Sequence, residues 1–198
     1  MKAKILNQMI PKQLGNSDSS DTREYRDLRS LIAQQPFFDG LTGRQIYLLT
    51  DSAMEMQFNA GQSIFQAGSP ANRFHLILEG KVVLESEAAS RGIIAIETLG
   101  PGDGLGWSWL FPPFYLKLNA RALEPTRTIF FYGTRLREQC EQDHELGYQL
   151  MKRIAELAIK CLGATQQRLM ECTDMSKLRH AVEPKTSRQD RTPVGLDL

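Results

Sequence analysis

Residues 99–122 have the sequence LGPGDGLGWSWLFPPFYLKLNARA, which is the most informative stretch of the chain. Four glycines lie at close spacing within it: Gly100, Gly102, Gly104 and Gly106. Such a turn permits positive φ angles, and when it leads into a short helix its free N–H groups can attract an anion. The segment lacks the GxGxxG motif, because Trp107 stands at the third glycine position, and it lacks the Gly-Lys-Ser/Thr of a P-loop. A ligand-binding turn and a tight turn between strands both remain open.

Short strands are predicted on both sides of this stretch. Met54, Met56 and Phe58 alternate with polar residues, which is the period of a half-buried strand. Further strands are predicted over residues 63–66, 74–79, 81–86, 93–99, 116–122 and 127–132. Glycine-bearing turns separate them, and no strand–helix–strand alternation occurs. We therefore predict a mainly β fold with flanking helices, a double-stranded β-helix or jelly-roll-like β-roll over residues 53–132.

Helical patterns precede and follow the predicted roll. Residues 1–22 are predicted to be a flexible arm, and Thr42 followed by Gln45 predicts a capped helix before the first strand. A short helix is predicted over residues 134–142. A longer helix from about residue 144 to 171 has an apolar stripe that consists of Leu146, Leu150, Ile154, Leu157 and Cys161. The predicted domain spans residues 23–172, with its C-terminal helices over 134–172, and residues 173–198 are predicted to be a disordered tail.

Composition excludes several classes of protein. The 24 basic residues nearly balance the 23 acidic ones, so a net charge of +1 gives no global attraction to nucleic acid or to an anionic membrane. No apolar run reaches the roughly 20 residues that span a bilayer, and no secretory signal is evident, so we expect a cytoplasmic protein. The three cysteines have no CxxC spacing and are predicted to be reduced thiols: Cys140, Cys161 and Cys172.

No motif in the sequence indicates a catalytic or metal-dependent function. No GxSxG, HExxH or kinase signature occurs. A metal site in a β-roll needs histidines and a carboxylate together, whereas the three histidines are isolated: His75, His144 and His180. His75 alternates with Phe74 and Leu76 and is predicted to be a surface or hydrogen-bonded residue. We expect no enzyme activity, no metal and no cofactor.

The order of helices, glycine-turn strands, glycine-rich loop, two more strands and long helix resembles the cyclic-nucleotide-binding domain superfamily, over about residues 25–172. FNAGQSIFQAGSPANRFHLILEGKVVL resembles its first glycine block, and LGPGDGLGWSWL resembles the start of its phosphate-binding cassette. GWSWLFPP is similar to a single-domain bacterial branch. The resemblance implies a ligand pocket formed by Gly102, Gly104, Leu105, Gly106, Trp107, Ser108, Trp109, Leu116, Leu118 and Ala120.

Two positions depart from the nucleotide-binding members. The resemblance implies a Glu that holds the ribose hydroxyl and an Arg that neutralises the cyclic phosphate, but Trp107 and Leu116 stand there. Strand alternation turns Leu116 inward and Lys117 outward. A lost charge-assisted contact weakens binding by roughly 1.5–3 kcal/mol, so we expect weak or no binding of cyclic AMP or cyclic GMP. A register slip of one residue would instead turn Lys117 toward a phosphate.

Three states of the pocket stay open. Trp107 and Trp109 would close it as a ligand-free core, a small apolar or aromatic effector would lie under the two indoles, or a nucleotide would bind in a non-standard mode. The resemblance implies that the long helix covers the pocket and forms a dimer interface, while packing on its own roll is the alternative. We expect a homodimer.

The predicted function is a non-enzymatic sensory or regulatory module with a degenerate cassette. It would act through a protein partner or a non-standard effector, without binding a membrane. The 26 residues after Cys172 lack the apolar periodicity of a helix-turn-helix domain, so we expect no DNA binding by the chain on its own. The alternative is a cyclic-AMP- or cyclic-GMP-binding signalling protein or a transcription regulator of the catabolite activator family.

Overall fold

The structure is a computed structural model that describes residues 17–88 and 92–182, with side chains over residues 25–87 and 92–171. The described residues form four helices: α1 (Ser17–Ala33), α2 (Gly43–Asp51), α3 (Gly133–Gln142) and α4 (His144–Val182). They also form eight strands: β1 (Ala53–Phe58), β2 (Ser63–Phe65), β3 (Arg73–Glu79), β4 (Val82–Ala88), β5 (Gly92–Leu99), β6 (Gly104–Leu105), β7 (Asn119–Ala122) and β8 (Thr126–Tyr132). Short 3-10 helices span Pro36–Phe38 and Trp107–Leu110.

The strands form two four-stranded antiparallel sheets. The first has the order β1-β8-β3-β6 and the second the order β2-β7-β4-β5. Chain neighbours such as β1 and β2 lie in different sheets, so the chain winds between the two layers. The predicted β-roll with flanking helices is confirmed.

Two apolar clusters hold the fold together. The outer core joins the helices to the first sheet and consists of Ile32, Phe38, Ile46, Leu49, Ala53, Phe74, Leu76, Trp109, Ile129, Phe131, Leu136, Leu146, Leu150 and Ile154. The inner core lies between the two sheets and consists of Ile77, Val82, Leu84, Leu99, Leu105 and Ala120. Strand β3 contributes Leu76 to the outer core and Ile77 to the inner core. The first sheet is therefore covered on both faces.

His75 shows the consequence of this double coverage. It is only 2% exposed, its Nδ1 lies 3.2 Å from Thr128 Oγ1, and its ring packs near those of Phe58, Phe65 and Phe130. Of the two environments predicted for His75, the hydrogen-bonded one is present and the surface one is absent, because both faces of β3 are covered. Burial lowers the pKa of His75 to about 3.

The helix boundaries differ from the prediction at both ends. Helix α1 begins within the predicted arm, whose residues 1–16 lie outside the described residues. Helix α4 continues to Val182, so residues 173–182 are helical and not part of a disordered tail. Residues 164–182 contain neither Gly nor Pro, and nothing in their sequence interrupts the helix. Residues 183–198 of the predicted tail lie outside the described residues. The capping box is confirmed, because Thr42 and Gln45 bond each other's backbone N–H.

The cassette region differs in strand boundaries. The predicted strand over residues 116–122 begins at Asn119. Leu116 pairs instead with the turn at Gly68 and Ser69. Its N–H donates to Ser69 O at 2.9 Å, and its carbonyl oxygen accepts from Gly68 N–H at 2.9 Å. The two-residue strand β6 lies inside the predicted glycine turn. In the described part of the chain, no helix has the length and hydropathy to cross a membrane.

Candidate functional site

The glycine turn is fastened to strand β3. Gly102 N–H donates to Ile77 O at 2.8 Å, and Ile77 N–H donates to Asp103 O at 3.0 Å. The carboxylate of Asp103 accepts from Gly100 N–H at 2.9 Å and closes the turn. The chain then enters β6, which pairs with β3. Hydrogen bonds within the protein therefore occupy several of the polar backbone groups of the glycine turn.

Two of the glycines lie in close contact with neighbouring groups. A Cβ atom at Gly104 would lie 2.7 Å from Phe74 Cζ and 2.9 Å from Leu157 Cδ1. Gly106 has a φ of +80°, and a Cβ atom there would lie 2.7 Å from Arg73 O. These contacts let β3 and helix α4 approach the turn, so packing accounts for both positions.

A small cavity lies next to Gly106, at the end of the inner core. Its volume is about 40 Å³, and it is lined by Phe65, Leu84, Leu105, Gly106, Trp107, Ser108, Leu116, Lys117, Leu118 and Cys161. Strands from both sheets, the 3-10 helix Trp107–Leu110 and helix α4 all contribute to it. Its walls are apolar, with Ser108 and Lys117 as the polar side chains of its lining.

The structure brings part of the predicted pocket together. The predicted residues that line the cavity are Leu105, Gly106, Trp107, Ser108, Leu116 and Leu118, and Lys117 joins them. The predicted residues that do not line it are Gly102, Gly104, Trp109 and Ala120. Gly102 and Gly104 fasten the turn, and Ala120 lies in the inner core.

Trp109 separates from Trp107 in this arrangement. Successive residues of a 3-10 helix project about 120° apart, so the two indoles point in different directions. Trp109 is fully buried in the outer core, and a Cβ atom at Gly133 would lie 2.8 Å from Trp109 Cβ. Trp107 is half-buried, packs against the outer core and also lines the cavity. Of the two indoles, only that of Trp107 therefore belongs to the lining of the cavity, while both contact the outer core.

The direction of the side chains after the proline pair follows the alternation. Leu116 is 7% exposed and lines the cavity, whereas Lys117 is exposed and lies at its rim. Arg121 pairs with Glu85 on β4, with Arg121 Nε 3.3 Å from Glu85 Oε2, and lies outside the cavity lining. The slipped register is absent, and the interior presents Leu116.

Helix α4 closes the cavity. Cys161 lines it, and Lys160 Nζ lies 2.7 Å from Asp103 Oδ1 and 3.8 Å from Glu97 Oε1. Burial is the main cause that raises the pKa of Glu97. This contact between helix and glycine turn was not foreseen, since Lys160 and Asp103 are 57 positions apart and no local pattern joins them. Burial also raises the pKa of the Cys161 thiol, so its reactive thiolate is disfavoured.

The predicted stripe of α4 lies on this closing side. Leu146, Leu150 and Ile154 are at most 2% exposed in the outer core, and Leu157 packs against it. Cys140 and Cys161 are free thiols, while the side chain of Cys172 lies outside the described ones. Over the described residues, no group of three or more metal-ligating side chains comes together.

Comparisons with known proteins agree with this fold. Residues 55–143 match the model of the cyclic nucleotide-binding domain. A Geobacter metallireducens protein named as a cyclic nucleotide-binding protein has a crystal structure with 31% identity and a TM-score of 0.60, covering 69% of this chain and 96% of its own. The chain belongs to the cyclic nucleotide-binding domain family.

Two curated proteins that are similar to this chain are named as regulators. The CRP-like cAMP-activated global transcriptional regulator of Mycobacterium tuberculosis is 25% identical over 125 residues, 63% of this chain and 56% of that protein. The cAMP-dependent protein kinase type I-alpha regulatory subunit of Mesocricetus auratus is 31% identical over 88 residues, 44% of this chain and 49% of the subunit. The chain thus spans about half the length of these curated relatives.

Proposed function

We propose that this chain is a non-catalytic regulatory module whose cassette does not serve cyclic AMP or cyclic GMP. The observation that carries the proposal is that Trp107 and Leu116 both line the cavity. These are the two positions at which the family resemblance implies a ribose-binding Glu and a phosphate-binding Arg. The regulatory role is supported by relatives that are named as regulators and not as enzymes.

The electrostatics of the cavity support the proposal. A cyclic phosphate beside Leu116 would lose water and gain no buried cation, which is costly in apolar surroundings. Arg121 is engaged by Glu85 outside the cavity, and Lys117 lies at the rim. A ribose would meet an indole in place of a carboxylate.

The size of the cavity also argues against nucleotide binding. It holds about 40 Å³, whereas pockets for drug-sized ligands hold roughly 300–1,000 Å³. A nucleotide would therefore have to displace inner-core side chains together with Cys161 of α4.

Titration calorimetry with cyclic AMP and cyclic GMP tests the proposal. We expect no sub-micromolar binding by the wild-type chain, and sub-micromolar binding of either nucleotide would overturn the proposal. The double variant Trp107→Glu/Leu116→Arg restores both implied groups and is expected to gain at least about tenfold in affinity. Phe111→Glu/Leu123→Arg is the matched control, because it places the same charges on exposed residues outside the cavity lining.

The second candidate is a cyclic-nucleotide-binding signalling protein or transcription regulator. It is favoured by the 25% identity to the CRP-like regulator, and the same calorimetry decides it. After Cys161 the described residues only continue α4 to Val182 and contain no helix-turn-helix. We therefore propose that this chain does not bind DNA on its own. A gel-shift titration with random duplex at low salt tests this, and retarded duplex would contradict it.

We also propose that the module forms a homodimer through α4. A second apolar face, the exposed stripe, consists of Tyr148, Met151, Ile159, Leu162 and Met170, each at least 50% exposed. Tyr148, Ile159 and Met170 recur every 11 residues, which is three helical turns, so they lie on one side of the helix. An apolar surface of this kind marks a partner. Light scattering at micromolar concentration is expected to give twice the chain mass, and a monomer mass would contradict the dimer.

A further inference from the structure

A cleft that is separate from the cavity beside Gly106 lies between helix α1, the end of helix α2 and the start of strand β1. Its volume is about 590 Å³, whereas small-molecule sites typically hold roughly 300–1,000 Å³. Side chains from all three elements line it, among them Tyr25 of α1, Asp51 of α2 and Glu55 of β1. The cleft therefore has the size of a ligand site and shares no lining residue with the cassette.

The apolar part of the cleft is formed by Leu28, Ala53 and Met54. Ala53 belongs to the outer core and Leu28 packs against it, whereas Met54 is 51% exposed. Methionine is a flexible and polarisable side chain that adapts to the shape of an apolar partner. This part of the cleft therefore offers apolar surface to a molecule that binds from solvent.

The polar part of the cleft is negatively charged. Asp51 and Glu55 line it, and no Lys or Arg does so within the described residues. Glu55 Oε2 lies 3.3 Å from Arg127 Nη1, but the same guanidinium lies 2.5 Å from Glu79 Oε1, so one cation serves two carboxylates. Asp51 forms no ion pair with another described residue. Three carboxylates and one guanidinium leave an excess of two negative charges at this place.

The Asp51 carboxylate lies near the Tyr25 hydroxyl at the end of α2. The hydroxyl donates to Tyr47 O at 3.3 Å, one helical turn before Asp51, the last residue of the helix. Burial raises the pKa of Tyr25 most, followed by Tyr47 and the charge of Asp51, while Arg29 opposes the shift. Arg29 itself is directed to the start of α2, where it donates to Gly43 O at 3.2 Å. The end of α2 also carries the negative end of the helix dipole, so nothing there favours an anion.

We infer that this cleft binds a protonated organic amine that has an apolar body. The ammonium group donates to the carboxylates of Asp51 and Glu55, and the apolar body covers Leu28 and Met54. The Tyr25 ring adds an aromatic surface, and aromatic faces attract cations within roughly 6 Å of their centroid. The site goes beyond the proposed function, because it is independent of the cassette.

The tyrosines of the chain provide the test. Hexylamine, which is protonated at neutral pH, is titrated into the full chain labelled with ring-¹³C tyrosine, and the signals are assigned by single substitutions to phenylalanine. We expect a saturable shift of the Tyr25 signal and no change at Tyr115 and Tyr148, which lie outside the cleft lining. 1-Hexanol has the same apolar body without the charge and is expected to bind at least about threefold more weakly.

Matched variants test the role of the unpaired carboxylate. Asp51→Asn is expected to weaken hexylamine binding at least about threefold, because it removes one of the two anionic partners of the ammonium group. Asp39→Asn makes the same change at an exposed residue outside the cleft lining and is expected to leave the affinity unchanged. Equal binding of 1-hexanol, an unaffected Asp51→Asn variant, or the absence of a Tyr25 shift would overturn the inference.

The indole N–H signal of Trp107 distinguishes this cleft from the cassette. Hexylamine is expected to leave that signal unchanged, because Trp107 lines the other cavity. A shift of Trp107 without a shift of Tyr25 would place the amine at the cassette and contradict the inference.

Discussion

Helix α4 carries two apolar faces that have different partners. Leu146, Leu150 and Ile154 are at most 2% exposed because the outer core covers them. Tyr148 and Met151, on neighbouring positions of the same turns, are at least 50% exposed. Both faces have helical periodicity, so a periodic apolar pattern shows that a face seeks a partner but not which partner it finds.

The two faces of α4 serve different purposes: the covered face stabilises the fold, and the exposed stripe is available for contacts with another chain. The covered face attaches α4 to the roll and, through Leu157 and Cys161, reaches the cassette. The exposed stripe contributes little to the fold of one chain and is free to contact a second. Substitutions on the two faces should therefore have different consequences.

The largest expected effect is on the covered face. Leu150→Ala should lower the free energy of unfolding by about 2–5 kcal/mol, because it leaves a cavity in the outer core. Met151→Ala, one residue further, should change it by no more than about 0.5 kcal/mol. Urea unfolding followed by circular dichroism measures both, and equal losses would contradict the assignment of the two faces.

A smaller loss is expected where the covered face meets the cassette. Gly104→Ala should cost about 1–3 kcal/mol, because the new Cβ would press on Phe74 and Leu157. Gly100→Ala is the control, since nothing lies within 4 Å of its Cβ position. A double-mutant cycle of Gly104→Ala with Leu157→Ala should show a coupling of the two sites. Additive losses would show that α4 does not press on the turn.

The buried histidine gives a pH-dependent effect. Burial, followed by the charge of Arg73, lowers the pKa of His75 to about 3 in the folded chain, whereas an unfolded histidine has a pKa of 6.5. The unfolded chain therefore binds a proton that the folded chain does not as pH falls below 6.5. The contribution of His75 to the free energy of unfolding is therefore complete above pH 6.5. It is lost as the pH falls toward 3, by at most about 1.4 kcal/mol per pH unit.

Unfolding at pH 7.5 and pH 5 measures this contribution. His75→Phe should flatten the difference between the two pH values, while His144→Gln, an exposed residue at the start of α4, should retain it. Comparison with the wild type cancels the pH dependence of carboxylates such as Glu97. An unchanged slope in His75→Phe would contradict the assignment.

The smallest effect on the fold is expected at the exposed stripe. Leu162→Glu should change the unfolding of the single chain by no more than about 0.5 kcal/mol, but it should convert the proposed dimer to a monomer. Arg44→Glu introduces the same side chain at an exposed position of α2, away from the exposed stripe, and should leave the mass unchanged. Light scattering measures the mass of the wild type, of Leu162→Glu and of the control variant. A Leu162→Glu variant that remains a dimer would show that the interface lies elsewhere.

Much of the fold was predictable because its signals are local. Thr42 and Gln45 cap α2 through bonds within one turn, and the strand alternation placed Leu116 inward and Lys117 outward. The family resemblance is carried by glycine turns, which depend on backbone conformation at single residues. Gly106, with its φ of +80°, is such a position.

The rest depends on residues that are distant in the chain. His75 is buried because helices cover the outer face of β3 and the second sheet faces the inner one, and its own sequence neighbours do not contain this information. Strand β6 is only two residues long, and its pairing with β3 comes from Gly104 and Leu105 fitting beside Leu76 and His75. The pair of Lys160 with Asp103 likewise needs the packed helix.

The sequence by itself determined the β-roll and the family, because periodicity, turns and residue identity are local properties. Only the tertiary structure decided that Trp109 is fully buried in the outer core while Trp107 borders both that core and the cavity, and which face of α4 is covered. The physical reason is that burial is shared between elements far apart in the chain. Two residues with the same chemistry acquire different surroundings once those elements pack.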